Sequence, residues 1–309
     1  MKQFIIKCVS GAILLLMIDL AVGFTHDRVF TDLPDTTSMW STIYQSLFKK
    51  CPEVVILGPS TANHNYNPQL LTDSLKMETY NAGLDAHDIV YCDVVLNSML
   101  DRTDVKEVIL DVGESQLDGK WINSSIADTK IYYKRSPEVT KYYDNETDWQ
   151  QRLKLRSNLY RYNQSCYNLV HILLNRPDTL NGFRPLVGQN ADFIRKESYQ
   201  FSIDSTELRH LENIVATCKN RGVNLLFVQS PRETNNIAFN NWITAFSKSK
   251  GVPLYNEDAN GFWESHHELF YDGAHLNSEG ADEFSRKIAS FVHNKNIKSY
   301  FNESSSNNI

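Results

Sequence analysis

Cysteine is scarce in this chain of 309 residues, which contains only five. No two of them form a Cys-x-x-Cys pair, and none has a metal-ligand spacing. The five are Cys8, Cys51, Cys92, Cys166 and Cys218. We therefore expect no disulfide framework, and we expect Cys92 and Cys218 to be small buried residues.

An excess of basic residues is also lacking. The chain has 31 Lys and Arg against 37 Asp and Glu, a formal net charge of -6. Phosphate binding needs a basic face, so this balance argues against a nucleic-acid partner. The nine histidines form no metal-ligating pattern, and we expect neither a metal nor a cofactor. With 41% hydrophobic and 22% charged residues, the composition is that of a globular protein with ample length for a buried core.

Long apolar runs are absent except at the N-terminus. Lys2 and Lys7 precede an apolar run from Val9 to Phe24 that only Asp19 interrupts. With Phe4–Ile6 the run approaches the roughly 20 residues that cross a bilayer. Positive residues ahead of the run favour a cytoplasmic N-terminus.

Residues 1–25 therefore predict a membrane anchor or a signal segment. A cleaved signal peptide is the alternative, because Ala21–Gly23 offers small residues at a cleavage point. Either interpretation places the rest of the chain outside the cytoplasm, in the periplasm or at the cell surface, and cleavage would make the protein secreted.

The remaining chain divides by composition. Residues 26–42 are polar and predict a linker, and residues 43–298 predict the globular domain. Within that domain, residues from about 119 to 200 interrupt the pattern and predict a mainly helical insertion. Residues 299–309 predict a disordered tail.

The globular part alternates strands and helices. The predicted strands are Glu53–Leu57, Met77–Asn81, Glu107–Val112, Val223–Val228 and Val252–Tyr255. The predicted helices begin at Asn67-Pro68, Ala86, Asp204 or Ser205, Asn235 and Ser278. This alternation predicts an α/β fold, a three-layer α/β/α sandwich with a flavodoxin-like parallel sheet of five strands. Sites in such folds lie at the carboxyl ends of the strands.

The insertion contains one long helical pattern, predicted over Trp149–Leu174. Its expected buried side consists of Leu153, Leu155, Leu159, Tyr162, Cys166, Val170 and Leu174. The insertion is also rich in aromatic residues, including Trp121, Tyr132, Tyr133, Tyr142, Tyr143 and Trp149. Two interpretations stay open for these rings, packing in the core or stacking on sugars.

Three segments at the ends of strands or before the last helix have the residue types for acyl transfer. The first strand leads into Gly58-Pro59-Ser60-Thr61, where a sharp turn would expose the serine and aim its backbone N–H at an oxyanion. The second strand ends Asn81-Ala82-Gly83, whose glycine N–H could be a second donor. Asp272 precedes His275 by three residues, a spacing that lets a carboxylate orient an imidazole that accepts the serine proton.

The order of these blocks resembles the SGNH (GDSL-type) hydrolase superfamily, over roughly residues 50–115 and 220–295. The first block, through Asn63 with Pro68 downstream, is similar to that of membrane-anchored members such as alginate acetyltransferases and the teichoic-acid D-alanyl transfer protein. The resemblance implies Ser60 as nucleophile, His275 as general base, Asp272 as its orienting residue and the Gly83 N–H as an oxyanion donor.

The segment after the third strand departs from the family pattern. The superfamily places an Asn after the third strand as an oxyanion donor, whereas this chain has Gly113-Glu114-Ser115-Gln116. Gln116 could donate in its place. Loss of one such donor costs roughly 2.7–4 kcal/mol of transition-state stabilisation, so an unfilled position would slow catalysis.

Three further residues are candidates for substrate binding. Asn63 ends the first block and His64 follows it, and His64 is either a residue at the mouth of the site or an ordinary helix-start residue. Arg232, after the fourth strand, either faces an anionic substrate or forms a surface salt bridge.

The predicted activity is ester hydrolysis or acyl transfer through an acyl-serine, with a cell-envelope polysaccharide as the expected partner by analogy. A membrane-bound partner that supplies acyl groups is also compatible with the resemblance. The alternatives are a plain carboxylesterase and a catalytically inactive glycan-binding or scaffold protein.

Overall fold

A parallel sheet of five strands forms the centre of the fold, in the order β2-β1-β3-β4-β5. The structure, a computed structural model, describes residues 1–120, 126–163, 180–190, 201–233, 236–256 and 261–294. The strands are β1 Val54–Leu57, β2 Thr79–Asn81, β3 Glu107–Asp111, β4 Asn224–Gln229 and β5 Leu254–Asn256. All five predicted strands are confirmed, with ends displaced by two residues at most.

Eleven α-helices lie within the described residues. They are α1 Lys2–Phe30, α2 Met39–Tyr44, α3 Ser60–Asn65, α4 Pro68–Leu75, α5 Ile89–Leu100, α6 Pro137–Glu146, α7 Trp149–Lys154, α8 Asn158–Tyr162, α9 Ser205–Arg221, α10 Ile237–Lys250 and α11 Ser278–Asn294.

Side-chain caps explain where several helices begin. The Asn67 side chain accepts hydrogen bonds from the first turn of α4, and Asp204 does the same for α9. Asp88 caps α5, so this helix begins at Ile89 and not at Ala86 as predicted. Asn236 caps α10, and the predicted start at Asn235 lies outside the described residues.

Alternate strand residues enter two separate cores. Val55 and Leu57 of β1 pack with α2, α5, α9 and α10, whereas Val54 and Ile56 pack with α3, α4 and α11. Both faces of the sheet are therefore covered by helices, which is why the four residues of β1 are all apolar, without alternation. The predicted three-layer α/β/α fold is confirmed.

The insertion is mainly helical in its described part, where only residues 126–163 form helices, but the single helix predicted over Trp149–Leu174 is wrong. The chain turns at Leu155–Ser157, and the Ser157 hydroxyl then caps α8. The break changes which side chains are buried, because it resets the helical period. Leu155 and Tyr162 are buried, whereas Leu153 and Leu159 are exposed. The other predicted members, Cys166, Val170 and Leu174, lie outside the described residues.

The aromatic residues of the insertion mostly pack in the core. The buried ones are Tyr132, Tyr133, Tyr142 and Tyr143. Trp149 is 65% exposed, and Trp121 lies outside the described residues. The packing interpretation therefore holds for the four tyrosines.

The N-terminal helix α1 is long and apolar enough to cross a membrane, with a mean hydropathy of 2.3 over its most apolar window. It fits a membrane anchor or a signal sequence. The helix extends through His26 to Phe30, both of which are buried, and Trp40 is buried in α2. Residues 26–42 therefore include side chains that pack in the core, and the division of the chain into anchor, linker and domain stays a prediction. The predicted tail lies outside the described residues.

Candidate active site

Ser60 lies at the first position of α3, directly after β1 and a tight turn. Gly58 in this turn has a φ of +148°, and a Cβ there would lie 2.9 Å from the backbone oxygen of Asp111. Only glycine fits this close approach to β3. The turn brings Ser60 to the carboxyl edge of the sheet, as the sequence predicts.

His275 and Asp272 meet Ser60 there. The His275 Nε2 lies 2.7 Å from the Ser60 Oγ, and its Nδ1 lies 2.9 Å and 3.0 Å from the two carboxylate oxygens of Asp272. Side-chain exposure falls from 20% for His275 to 9% for Asp272. The three side chains form a continuous hydrogen-bonded chain whose buried end is the carboxylate.

Asp272 also organises its own loop. Its Oδ1 accepts hydrogen bonds from the backbone N–H groups of Ala274 and His275, at 2.8 Å and 2.9 Å. Burial raises the pKa of Asp272, but the hydrogen bond from the His275 side chain and these backbone bonds outweigh burial, and the pKa lies below its ordinary value. The carboxylate is therefore ionised when it faces the imidazole.

The loop is tied to the serine side of the site. The Leu276 N–H donates to the Asn65 side chain of α3 at 2.9 Å. The Gly273 carbonyl accepts from the Glu233 N–H at 3.2 Å. These bonds hold His275 between α3 and the segment after β4.

The Gly83 N–H, predicted to be an oxyanion donor, is already used in another hydrogen bond. Its N–H donates to the Asn81 side-chain oxygen at 2.9 Å. The Asn81 amide in turn donates to the Ala62 carbonyl at 2.7 Å, and Asn81 is completely buried. A Cβ on Gly83 would lie 2.5 Å from the Ala62 Cβ, so the glycine instead allows α3 to pack closely on the loop after β2.

Gln116 lies in a short 3-10 turn after β3 and is 1% exposed. Its side-chain oxygen accepts from the Gly113 N–H at 2.8 Å. Within the described part of the chain, its Nε2 is buried without a hydrogen-bond partner. A buried donor that is left free is costly, so this amide has the capacity to serve a ligand.

Asn63 and His64 form a polar cluster with two residues that the sequence analysis missed, Asp85 and Arg184. The Asp85 Oδ1 lies 3.0 Å from both the Asn63 Nδ2 and the His64 Nε2, and its Oδ2 lies 3.3 Å from the Arg184 guanidinium. The His64 ring packs edge-on against that of His275, with 5.3 Å between centroids. His64 is therefore at the site, as one of the two interpretations proposed. We call the set Asn63, His64, Asp85 and Arg184 the polar rim.

The polar rim lowers the pKa of Asp85 to about 2. Burial alone raises the pKa, but the hydrogen bond and charge of His64, the Asn63 amide and the charge of Arg184 together reverse this effect. Asp85 follows the second block closely, but nothing in the sequence indicates its partner Arg184, which lies about 100 residues further along the chain.

The insertion reaches the site through residues 180–190. The Arg184 N–H donates to the Asn63 carbonyl at 3.1 Å, and the Asn190 N–H donates to the Tyr271 carbonyl at 2.7 Å. The Ser278 N–H donates to the Leu186 carbonyl at 2.7 Å. This segment therefore crosses from α3 to the loop that holds Asp272 and His275.

Arg232 lies near Glu114, with 3.9 Å between the guanidinium and the carboxylate oxygen. The Arg232 side chain is only 16% exposed. Of the two interpretations of Arg232, the structure therefore agrees with a salt bridge, although the pair of Arg232 and Glu114 is largely buried and not on the surface. Of the residues described, no group of three or more His, Cys, Asp or Glu could hold a metal ion.

No protein-family model and no curated protein matches the chain. Several solved structures are similar. One is a protein provisionally assigned to the lipolytic G-D-S-L family from Desulfitobacterium hafniense DCB-2, with 11% identity, a TM-score of 0.40, and coverage of 77% of this chain and 97% of that chain. Another is provisionally assigned as an acylhydrolase from Bacteroides fragilis NCTC 9343, with 11% identity, a TM-score of 0.40, and coverage of 84% and 98%.

A third is provisionally described as a platelet activating factor from Streptococcus pneumonia, with 10% identity, a TM-score of 0.44, and coverage of 91% and 99%. At these scores we draw no function from the likeness. The three sequence blocks lie in the structure where the sequence predicts them: the Ser60 block after β1, the Gly83 block after β2, and the block of Asp272 and His275 before α11. The predicted similarity to the SGNH (GDSL-type) hydrolases therefore rests on these blocks, and the roles of Ser60, Asp272 and His275 and the similarity to the membrane-anchored subgroup stay predictions.

Proposed function

We propose that the chain is a serine esterase or O-acyltransferase of the SGNH type. In this proposal Ser60 is the nucleophile, His275 the general base and Asp272 the residue that orients His275. The observation that carries it is the unbroken contact from the Ser60 Oγ to His275 at 2.7 Å and from His275 to Asp272 at 2.9 Å. A nucleophile, a base and an orienting group at these distances form the standard arrangement for acyl transfer.

The first half-reaction forms an acyl-enzyme. Neutral His275 accepts the Ser60 hydroxyl proton at Nε2 while the Oγ attacks the ester carbonyl. Asp272 accepts the Nδ1–H hydrogen bond and stabilises the imidazolium that results. As the tetrahedral intermediate collapses, the imidazolium protonates the leaving alcohol oxygen, and the acyl group stays on Ser60.

The second half-reaction transfers the acyl group to water or to a sugar hydroxyl. The acceptor loses its proton to the His275 Nε2, attacks the acyl carbonyl, and the Ser60 Oγ leaves and regains that proton. For the oxyanion we assign the Ser60 N–H and the Gln116 Nε2. Gly83 is left out because its N–H already donates to Asn81.

The substrate we propose is an acylated polysaccharide of the cell envelope, reached from outside the cytoplasmic membrane. The membrane-length helix α1 and the resemblance to membrane-anchored transferases support this location. The polar rim supports a polar acceptor, because it joins an arginine and an acid to His64, whose ring packs against His275. A membrane-bound partner that supplies acyl groups would fit the same arrangement.

An inactive glycan-binding or scaffold protein is the second candidate. Two observations favour it: the Gly83 N–H is occupied by Asn81, and no Asn follows β3. Each lost donor lowers catalysis by roughly two to three orders of magnitude.

Hydrolysis of nitrophenyl acetate separates the two candidates. Ser60→Ala and His275→Ala should each abolish it, and the double variant should be hardly worse than either single one, because the two residues act as a unit. His266→Ala is the matched control, since this ring contacts Phe262 and not Ser60. Additive losses, or unchanged activity in Ser60→Ala, would contradict the enzyme.

Transfer and hydrolysis are separated by their products. Given an acyl donor and an oligosaccharide, the transferase should yield acylated sugar faster than free acid. Arg184→Gln should then reduce transfer more than hydrolysis, because the side chain is exposed at the edge of the site. Arg286→Gln on α11, with similar exposure, is the control. Free acid as the only product across several acceptors would favour the plain esterase.

A further inference from the structure

The outer half of α1 packs against the insertion. The Asp19 carboxylate accepts hydrogen bonds from the Ser157 hydroxyl at 2.6 Å, the Leu159 N–H at 2.9 Å and the Asn158 amide at 3.0 Å. It therefore occupies the N-terminal end of α8. Gly23, one turn further, leaves no room for a Cβ, because the Asn158 side chain would lie 2.6 Å away.

The depth of this contact follows from helix geometry. Leu20 and Phe24 of α1 stay exposed, at 59% and 65%, so the apolar surface of α1 continues beyond Asp19. From Phe4 to Phe24 the helix rises about 30 Å, the thickness of the hydrocarbon core. Asp19 then lies about 7.5 Å inside the outer end of this apolar span. A helix whose end is bound at that level has its apolar side just below the outer interface of the bilayer.

The insertion exposes large apolar side chains on α8, which holds this contact, and on α7, which precedes it in the chain. Trp149 and Leu153 are one turn apart on α7 and are 65% and 56% exposed, and Leu159 on α8 is 38% exposed. Lys154 and Arg156 are exposed between them in the chain. Tryptophan is enriched at membrane interfaces, and cations there attract anionic headgroups.

We propose that Trp149, Leu153 and Leu159 form a membrane-contact surface that inserts into the outer interface of the bilayer. The surface adjoins α1 at Leu159, since the Leu159 N–H donates to Asp19 itself. Amphipathic helices lie in the interface with their apolar side about 5–10 Å deep, which matches the level of Asp19. With α1, this second contact fixes the orientation of the domain on the membrane. The proposal rests on α1 staying in the membrane and not on catalysis by Ser60.

Quenching by brominated lipids tests this contact in the full-length chain. The protein is reconstituted in vesicles of phosphatidylcholine and phosphatidylglycerol, with bromine near the headgroup end of the acyl chains. Trp149→Phe should remove most of the lipid-quenched fluorescence, whereas Trp242→Phe on α10 should not. Trp149 fluorescence that is quenched by aqueous acrylamide but not by the brominated lipid would overturn the proposal, as would a Trp149 shielded from both by a protein partner.

A paired variant tests the same surface without removing the fluorophore. Leu153→Asp with Leu159→Asp should shift Trp149 emission to longer wavelength and reduce its quenching by lipid. Ile237→Asp is the control, because Ile237 is 73% exposed on α10, away from α1. Equal effects of the pair and of the control would contradict the contact.

Discussion

Asp272→Asn isolates the part of the site that orients the base. The amide can keep its oxygen on the backbone N–H groups of Ala274 and His275, which lie at 2.8 Å and 2.9 Å, so the loop should retain its shape. Its NH2 group then replaces one of the two oxygens that face the His275 Nδ1, at 3.0 Å, and the negative charge beside the imidazole is lost. A donor facing this nitrogen favours the wrong imidazole tautomer.

The expected result of Asp272→Asn is a fall in kcat of about 10⁴-fold, as for the equivalent change in a serine protease triad. This corresponds to about 5.5 kcal/mol of transition-state stabilisation. The assay is nitrophenyl acetate hydrolysis at pH 7.5, with thermal unfolding measured on the same sample. Asp282→Asn is the matched control, because this carboxylate accepts from Asn67 at 2.8 Å on α11, outside the triad. Activity within tenfold of the wild type, with an intact fold, would refute the orienting part of Asp272.

Two other predictions concern stability and processing. Glu107 is buried, and burial raises its pKa from 4.5 to about 7, so the folded chain holds a proton that the unfolded chain releases between these values. The free energy of unfolding should therefore fall as pH rises through this window, by about 3 kcal/mol at most. Glu107→Gln should raise Tm at pH 8 but not at pH 4. A lower Tm of this variant at pH 8 would contradict the prediction. The N-terminal helix should remain uncleaved, because Asp19 caps α8. The intact mass of the protein extracted from membranes should therefore include residues 1–25. A mature chain beginning near Gly23 would instead show that the segment is a cleaved signal peptide.

Local sequence signals were sufficient to predict the sheet and most of its helices. Buried parallel strands are apolar throughout, and β1 and β4 are apolar runs of this kind. The caps Asn67 and Asp204 are chemical signals that the structure confirms. The spacing of Asp272 and His275 also predicted their contact, since three residues in a tight turn bring both side chains together.

Other features depend on contacts between distant parts of the chain, which no local pattern encodes. Arg184 reaches the site from the insertion, and the polar rim could not be predicted without that contact. Gly83 was predicted to be a hydrogen-bond donor from its place after β2, but its N–H is used by Asn81, a neighbour two residues away. In the sequence, Asp19 only interrupts the apolar run, whereas its three hydrogen bonds to the insertion show why a carboxylate is there.

The most direct test of the central claim is covalent labelling of Ser60. The full-length chain in detergent is treated with a fluorophosphonate, which reacts with serines that a neighbouring base activates. The account predicts one adduct, on the peptide containing Ser60, that is lost in Ser60→Ala and strongly reduced in His275→Ala. Absence of an adduct on folded wild-type protein, or an adduct on another serine that persists in Ser60→Ala, would contradict it.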